Sequence, residues 1–411
     1  MEFFTKYKKI ILAAVFIVAV FILGYLLYVV FFKAPPETPI VEAPGTTTTP
    51  AGLPTSPSGT GQIVNTEGTG GLPETEVTGT QASEKALGGL TKTTSLNNVP
   101  SLAATLSGNG TDLQYYNKED GKFYKISKNG EITALTDKIF YNVETIKWSP
   151  NKEKAILEYP DGANILYNFS ADKQVTLPSH WKDFDFSPDS NKIVMKSVGL
   201  DVDNRWLAIA NEDGSKSQAI EAIGEKDETV YPSWSPNNQT IAMYTEGSGF
   251  DQQEVFFVGL NGENFKSTVI EGRGFDPKWS PKGDQLVYSV YSSDNDLKPM
   301  LWVVGAQGDD IGQGRKTLNV ETWADKCTFA NDTDLYCAVP KELETGAGLF
   351  PELAKNTYDQ LYKIDLKTGL KQLVATPDGF YNMSNLIISE NGYQLYFTDQ
   401  TTEKINKINL K

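Results

Sequence analysis

The chain has one histidine, His180, and two cysteines, Cys327 and Cys337, among 411 residues. A single imidazole leaves one side chain suited to proton transfer near neutral pH. No Gly-x-Ser-x-Gly elbow is present, so the nucleophile of an α/β-hydrolase is missing. Two cysteines and one histidine also fall short of a usual zinc set. The acidic pairs Asp201/Asp203, Asp294/Asp296 and Asp309/Asp310 offer oxygen ligands for calcium. None of them continues into a full EF-hand ligand loop, and solvated loop acids are the expected role. The reading at this point is of a protein without catalytic residues, cofactor or metal.

Recognition chemistry is better represented. Aromatic residues recur in six short segments: Phe140-Tyr141-Asn142, His180-Trp181-Lys182, Val230-Tyr231-Pro232, Arg273-Gly274-Phe275-Asp276, Glu321-Thr322-Trp323 and Phe380-Tyr381-Asn382. Tyr141, Trp181, Tyr231, Arg273, Phe275, Trp323 and Tyr381 are therefore the candidate binding residues. Apolar ring faces with Lys182, Asp276 and Glu321 interspersed suit a protein loop or a glycan. The competing role for the rings is packing between neighbouring structural units.

What positions these segments is a repeat. Each precedes an apolar strand that runs into a Ser-centred turn, as in IKWSPNKEKAILEY around Ser149, FDFSPDSNKIVMKS around Ser187 and PSWSPNNQTIAMYT around Ser235. The same pattern recurs at Ser280, more weakly at Ser107 and Ser389, and in decayed form at Ala330. Six residues after each Ser an apolar residue opens the next strand: Leu113, Ala155, Ile193, Ile241, Leu286 and Leu395. The Ala330 copy is one residue short, reaching Leu335. Ser-Pro followed by Asn or Gly is turn chemistry, since the hydroxyl bonds nearby backbone and Pro presets φ. The anchors lie 42, 38, 48, 45, 50 and 59 residues apart, the period of a four-stranded propeller blade with loop insertions.

Trp148-Ser149-Pro150-Asn151, Phe186-Ser187-Pro188-Asp189, Trp234-Ser235-Pro236-Asn237 and Trp279-Ser280-Pro281 resemble the core of the TolB-type, WD-like propeller repeat. The resemblance covers residues 91–411. It implies an all-β, seven-bladed β-propeller, with six or eight blades as the alternatives, and leaves function open because that repeat serves scaffolds, receptors and peptidase accessory domains alike.

Within a repeat, third strands such as Phe123–Ile126 and Val255–Val258 end in Asn129-Gly130, Asp213-Gly214, Asn261-Gly262 or Thr368-Gly369, which predict tight hairpins of the primed type. The last repeat stops after its third strand, Ile405–Leu410. Residues 91–96 belong to no repeat and are expected to supply the missing outer strand, closing the ring. Pairing the first two strands of the decayed repeat about Asp332 sets Cys327 opposite Cys337, so a cross-strand disulfide is expected outside the cytoplasm, with two buried thiols as the alternative.

Charge and hydropathy place the chain. Lys and Arg total 37 against 52 Asp and Glu, which disfavours nucleic acid. Residues 10–32 form an apolar run of 23 residues preceded by Lys6, Lys8 and Lys9. That is long enough to span a bilayer, with the basic flank inside. Residues 1–9 are then a cytoplasmic tail, 10–32 a transmembrane signal-anchor helix, 33–90 a flexible Pro/Thr/Gly-rich linker without aromatics, and 91–411 the propeller. The expected protein is single-pass in the plasma membrane with an extracytoplasmic propeller and touches the membrane through residues 10–32 only. Its expected partner is an envelope or extracellular protein, with a glycan second. An enzyme of the lyase or lactonase type would need at least two converging carboxylates, or His180 facing the channel.

Overall fold

The computed structural model describes residues 81–411, with Val18, Val20–Leu23 and Tyr25, which are helical and exposed. The tail, most of the anchor and the linker up to residue 80 lie outside the described residues. Among the described residues no helix is long and apolar enough to cross a membrane.

The described chain forms seven antiparallel sheets, one per repeat, arranged as a seven-bladed β-propeller. The first strands are Ser101–Leu106, Thr145–Trp148, Trp181–Phe186, Val230–Pro232, Arg273–Trp279, Cys327–Phe329 and Met383–Ile388. Each stands at one edge of its sheet, with the other strands following in chain order outward except for the outermost strands of blades six and seven, which come from residues 90–95. First strands of neighbouring blades touch, Ser101–Leu106 meeting both Thr145–Trp148 and Met383–Ile388, so they encircle the axis.

The anchor turns show why the spacing is strict. In five of the seven repeats the Ser hydroxyl accepts the backbone N–H five residues on: Lys154, Lys192, Thr240, Gln285 and Gln394. The residue three after the anchor donates its own N–H back to the anchor carbonyl. That residue takes a left-handed conformation, with φ 69° at Gly110, 62° at Asn238 and 71° at Gly283. Lys152 and Ser190 accept the same position at φ 61°, so the turn tolerates residues other than Gly and Asn at some cost. In these five repeats the next strand begins at the residue the hydroxyl holds.

Ring closure uses the segment anticipated. Thr93–Ser95 pairs antiparallel with Ile405–Asn409, opposing Thr93 to Ile408 and Ser95 to Asn406, and becomes the fourth strand of the seventh blade. The chain joins the ring before residue 91, however. The Ala86 N–H donates to Asn409, the Gly88 N–H donates to Val374, and Leu90–Thr91 pairs parallel with Thr376 and Pro377 of blade six. This seam reaches two blades, and residues 81–90, without aromatics or a β-branched run, gave no strand signal.

Two further points depart from the sequence reading. The Asn-Gly and Asp-Gly hairpins place only the Gly at positive φ, 85° at Gly130 and 78° at Gly214. A primed turn needs positive φ at both central residues. These hairpins are type I turns completed by a left-handed Gly, as the Gly130 N–H to Ser127 carbonyl bond shows. Four first strands also carry a bulge, between Leu102 and Thr105, Lys182 and Asp185, Arg273 and Asp276, and Ser384 and Ile387. An extra residue on one strand reverses the inward–outward alternation before it.

In the decayed repeat Cys327 stands opposite Cys337 and the two are joined in a disulfide. The Ala330 turn has no hydroxyl to pin its strands, and the covalent link lies within the same hairpin. Blades are tied to each other by side chains: Trp148 Nε1 donates to the Ala103 carbonyl at 2.8 Å, and Trp279 Nε1 to Ser233 Oγ at 3.1 Å.

Candidate functional site

In an up-and-down sheet the segments entering the first strands and the loops joining second to third strands share one end. Call this the upper face. The anchor turns and the third-to-fourth-strand hairpins share the other. Upper loops of blades one, two and seven are short. Blade four extends its second strand to Gly249 and resumes at Gln252, a long projecting hairpin; blade five loops over 292–298, and blade six over 341–358 with a helical turn at Pro351–Ala354. The elaboration is confined to one side of the ring.

These loops support one another. Gly346 and Gly348 of the blade-six loop donate to the carbonyls of Asp296 and Leu297 in the blade-five loop, each at 2.8 Å. A Cβ on Gly348 would meet Tyr291 Cβ at 2.5 Å, so the close approach requires glycine there. The guanidinium of Arg273 lies 5.2 Å from the Phe250 ring and reaches the Gly249 carbonyl, holding the blade-four hairpin. Large apolar residues nonetheless face solvent on this side: Phe250, Leu349, Phe350 (58% exposed), Leu353 and Phe380 (85%). Phe380 stands edge-on to Tyr358, 5.3 Å between centroids.

Beside this rim lies a depression of about 250 Å³ lined by Asp276, Trp323, Asp325, Lys326, Pro351, Ala354, Asn382 and Gln400. Its floor is a buried polar network in which Asp359 Oδ1 alone has no hydrogen-bond partner. The buried Lys326 ammonium sits 2.8 Å from Asp359 and 2.7 Å from Asn382 Oδ1. The amide of Asn382 donates to Ala354 at 2.9 Å and Lys355 at 3.2 Å, binding the Pro351–Ala354 turn to the ring. Burial raises the Asp359 carboxyl, against the pull of Lys326. Asp276 accepts from the Asp325 N–H at 3.1 Å and from Ser289 at 3.4 Å, both through Oδ2. Burial, and then the charge of Asp325, push Asp276 up to about 6. Behind it Lys278 donates to the Cys327 carbonyl, and burial lowers its pKa.

A second, larger depression of about 510 Å³ involves Lys147, Glu158, Tyr159, Asn164, Lys182 and Asp183 of blades two and three. Glu158 is raised there, mainly by burial. Its lining mixes both signs without an exposed apolar rim.

The candidate aromatics do not form one ring. Trp181 is 5% exposed and Phe275 4%, both in the packing between blades. Tyr231 is half-buried edge-on to Phe275, and Tyr381 packs on Phe397. Only Tyr141 is openly exposed, on the short-loop side. Trp323 and Arg273 belong to the elaborated side. His180 is exposed, its ring near Trp181. Sequence reasoning missed Lys326, Asp359 and the 341–358 loop, and included Asn382 only within the Phe380-Tyr381-Asn382 segment; the length of the 341–358 interval was the available signal. Among the described residues no group of three or more His, Cys, Asp or Glu side chains is placed to hold a metal ion.

No protein-family model and no curated protein matches the sequence. Among solved structures, the chain is similar to the β-propeller domain of Swd1 from Myceliophteria thermophila, at 10% identity, TM-score 0.53, covering 78% of this chain and 100% of that one. It is similar to an oligogalacturonate lyase from Vibrio parahaemolyticus at 10% identity and TM-score 0.51, covering 78% and 93%. The tricorn protease matches at 13% identity and TM-score 0.50, over 76% of this chain and 34% of that one. At such identity these likenesses establish the propeller alone.

Proposed function

We propose that the protein is a membrane-tethered binding module, a TolB-like scaffold that grips another envelope or extracellular protein with the upper side of blades four to seven. The observation that carries this is the solvent-facing group Leu349, Phe350, Leu353 and Phe380 beside a polar depression, with Phe250 exposed on the blade-four hairpin. Exposed apolar residues beside a pocket are the arrangement of an interaction site. The tether is supported by the apolar run 10–32 and its Lys flank. The test is capture of a partner by the full-length protein and by a variant carrying Leu349→Ser, Phe350→Ser and Leu353→Ser. These side chains are exposed, so folding survives and the reading expects capture to be lost.

One observation favours a second reading. Asp276 and Asp325 converge in the depression with Asp276 near 6, an arrangement able to hold and release a proton. An acidic-group lyase or hydrolase predicts turnover that disappears in Asp276→Asn.

A further inference from the structure

The depression divides sharply into groups the protein has already satisfied and groups it has not. Lys326 is held from below by two acceptors, Asp359 and Asn382 Oδ1, and the Asn382 amide donates to two backbone carbonyls. Asp276 Oδ1, the Asp325 carboxylate, the Trp323 indole N–H and the Gln400 side-chain amide line the same space and make no hydrogen bond to the described residues. The open acceptors are thus two carboxylates and an amide oxygen, beside an aromatic ring. Lys326 faces Asp359, with Asp399 close to that pair, and Lys278 stands against Asp276 and Asp325, so carboxylates outnumber ammonium groups around the depression. The volume, about 250 Å³, is that of one long side chain rather than a drug-sized ligand.

Resting on the binding reading above, we infer that this depression seats an arginine side chain of the partner polypeptide. A guanidinium presents several donors in one plane, which suits two carboxylates and an amide oxygen, and its face stacks on indole. It also brings the missing positive charge. The rim Leu349, Phe350 and Leu353 then meets apolar residues flanking that arginine, excluding water around the ion pair. A lysine fills the charge but not the plane, and a neutral sugar leaves the net negative charge uncompensated.

The probe is the short peptide acetyl-Gly-Arg-Gly-amide, its lysine counterpart and its citrulline counterpart, the neutral isostere of arginine. Binding to the full-length protein in detergent is followed by saturation-transfer NMR. The expected result is a Kd of about a millimolar for the arginine peptide and binding weaker by about tenfold or more for citrulline. Asp325→Asn, whose side chain supports nothing in the fold, should cost a similar factor, and exposed Asp309→Asn on the lower face should cost nothing. Binding should also weaken as pH falls below 6. Equal binding of arginine and citrulline, unchanged binding by Asp325→Asn, or no transfer at about 10 mM peptide overturns the inference. A partner that is captured through the rim but is insensitive to Asp325→Asn sinks this inference and leaves the binding reading intact.

Discussion

The side-chain amide of Asn385 donates to the backbone carbonyl of Ala104 at 2.7 Å, joining the first strand of the last blade to the first strand of the first. Asn385 holds φ at 46° to make this reach, a conformation Asn tolerates better than most residues. Together with the Thr93–Ser95 seam it closes the ring twice, at the axis and at the rim.

Asn385→Gly separates backbone from bond. Glycine is the more comfortable residue at this φ, yet the variant is expected to lose about 1 kcal/mol because the Ala104 carbonyl loses its partner. Urea unfolding followed by tryptophan fluorescence measures it; an unchanged or raised midpoint means the clasp contributes nothing.

The anchor hydroxyls predict a paired result. Ser235 is fully buried and accepts the Thr240 N–H at 2.9 Å. Ser235→Ala leaves that donor unsatisfied and is expected to cost about 2 kcal/mol. The Ser107 hydroxyl makes no such bond, and Ser107→Ala should cost less than about 0.5 kcal/mol. Similar losses in both variants would mean that the hydroxyl is not what fixes the turn.

Reduction tests the decayed blade. The Cys327–Cys337 bond closes a loop of sequence separation 10, for which chain entropy gives about 2–3 kcal/mol. Unfolding with and without reductant should differ by that amount, and Cys327→Ala with Cys337→Ala should abolish the difference.

Asp276 predicts a pH effect of definite sign. Its carboxyl is raised from 3.8 to about 6 in the folded protein, so between those values the folded state holds the proton that the unfolded chain has released. The residue therefore opposes folding above pH 6, and this cost disappears as pH falls towards 4. Asp276→Asn is expected to stabilise the protein at pH 8, by up to about 3 kcal/mol, and to give no advantage at pH 4. Stability curves of the two proteins against pH check it; a gap of constant height across that range contradicts the account.

Much of the ring was legible because its determinants are local. The Ser hydroxyl at fixed spacing from Lys154, Thr240 or Gln285 is written in consecutive residues, and so is the missing outer strand after Ile405–Asn409. The direction of the aromatics was not. Bulges beside Lys182 and Arg273 shift the side-chain phase of Trp181 and Phe275, turning them into the blade interfaces, and no residue type announces a bulge. The Lys326–Asp359–Asn382 network was equally hidden, since its members come from a short helical turn, a strand and the entry segment of the next blade. It is assembled only by the ring.

The most direct test of the account puts a photoreactive benzoylphenylalanine at Phe350 on the upper face or at Leu370 in a lower-face hairpin, both exposed. Each full-length protein is irradiated in native membranes and the adducts are resolved by mass. The account predicts a discrete adduct with one protein from position 350 and none from position 370. Adducts from 370 alone, or the same set from both positions, would contradict a binding site built on the upper side of blades four to seven.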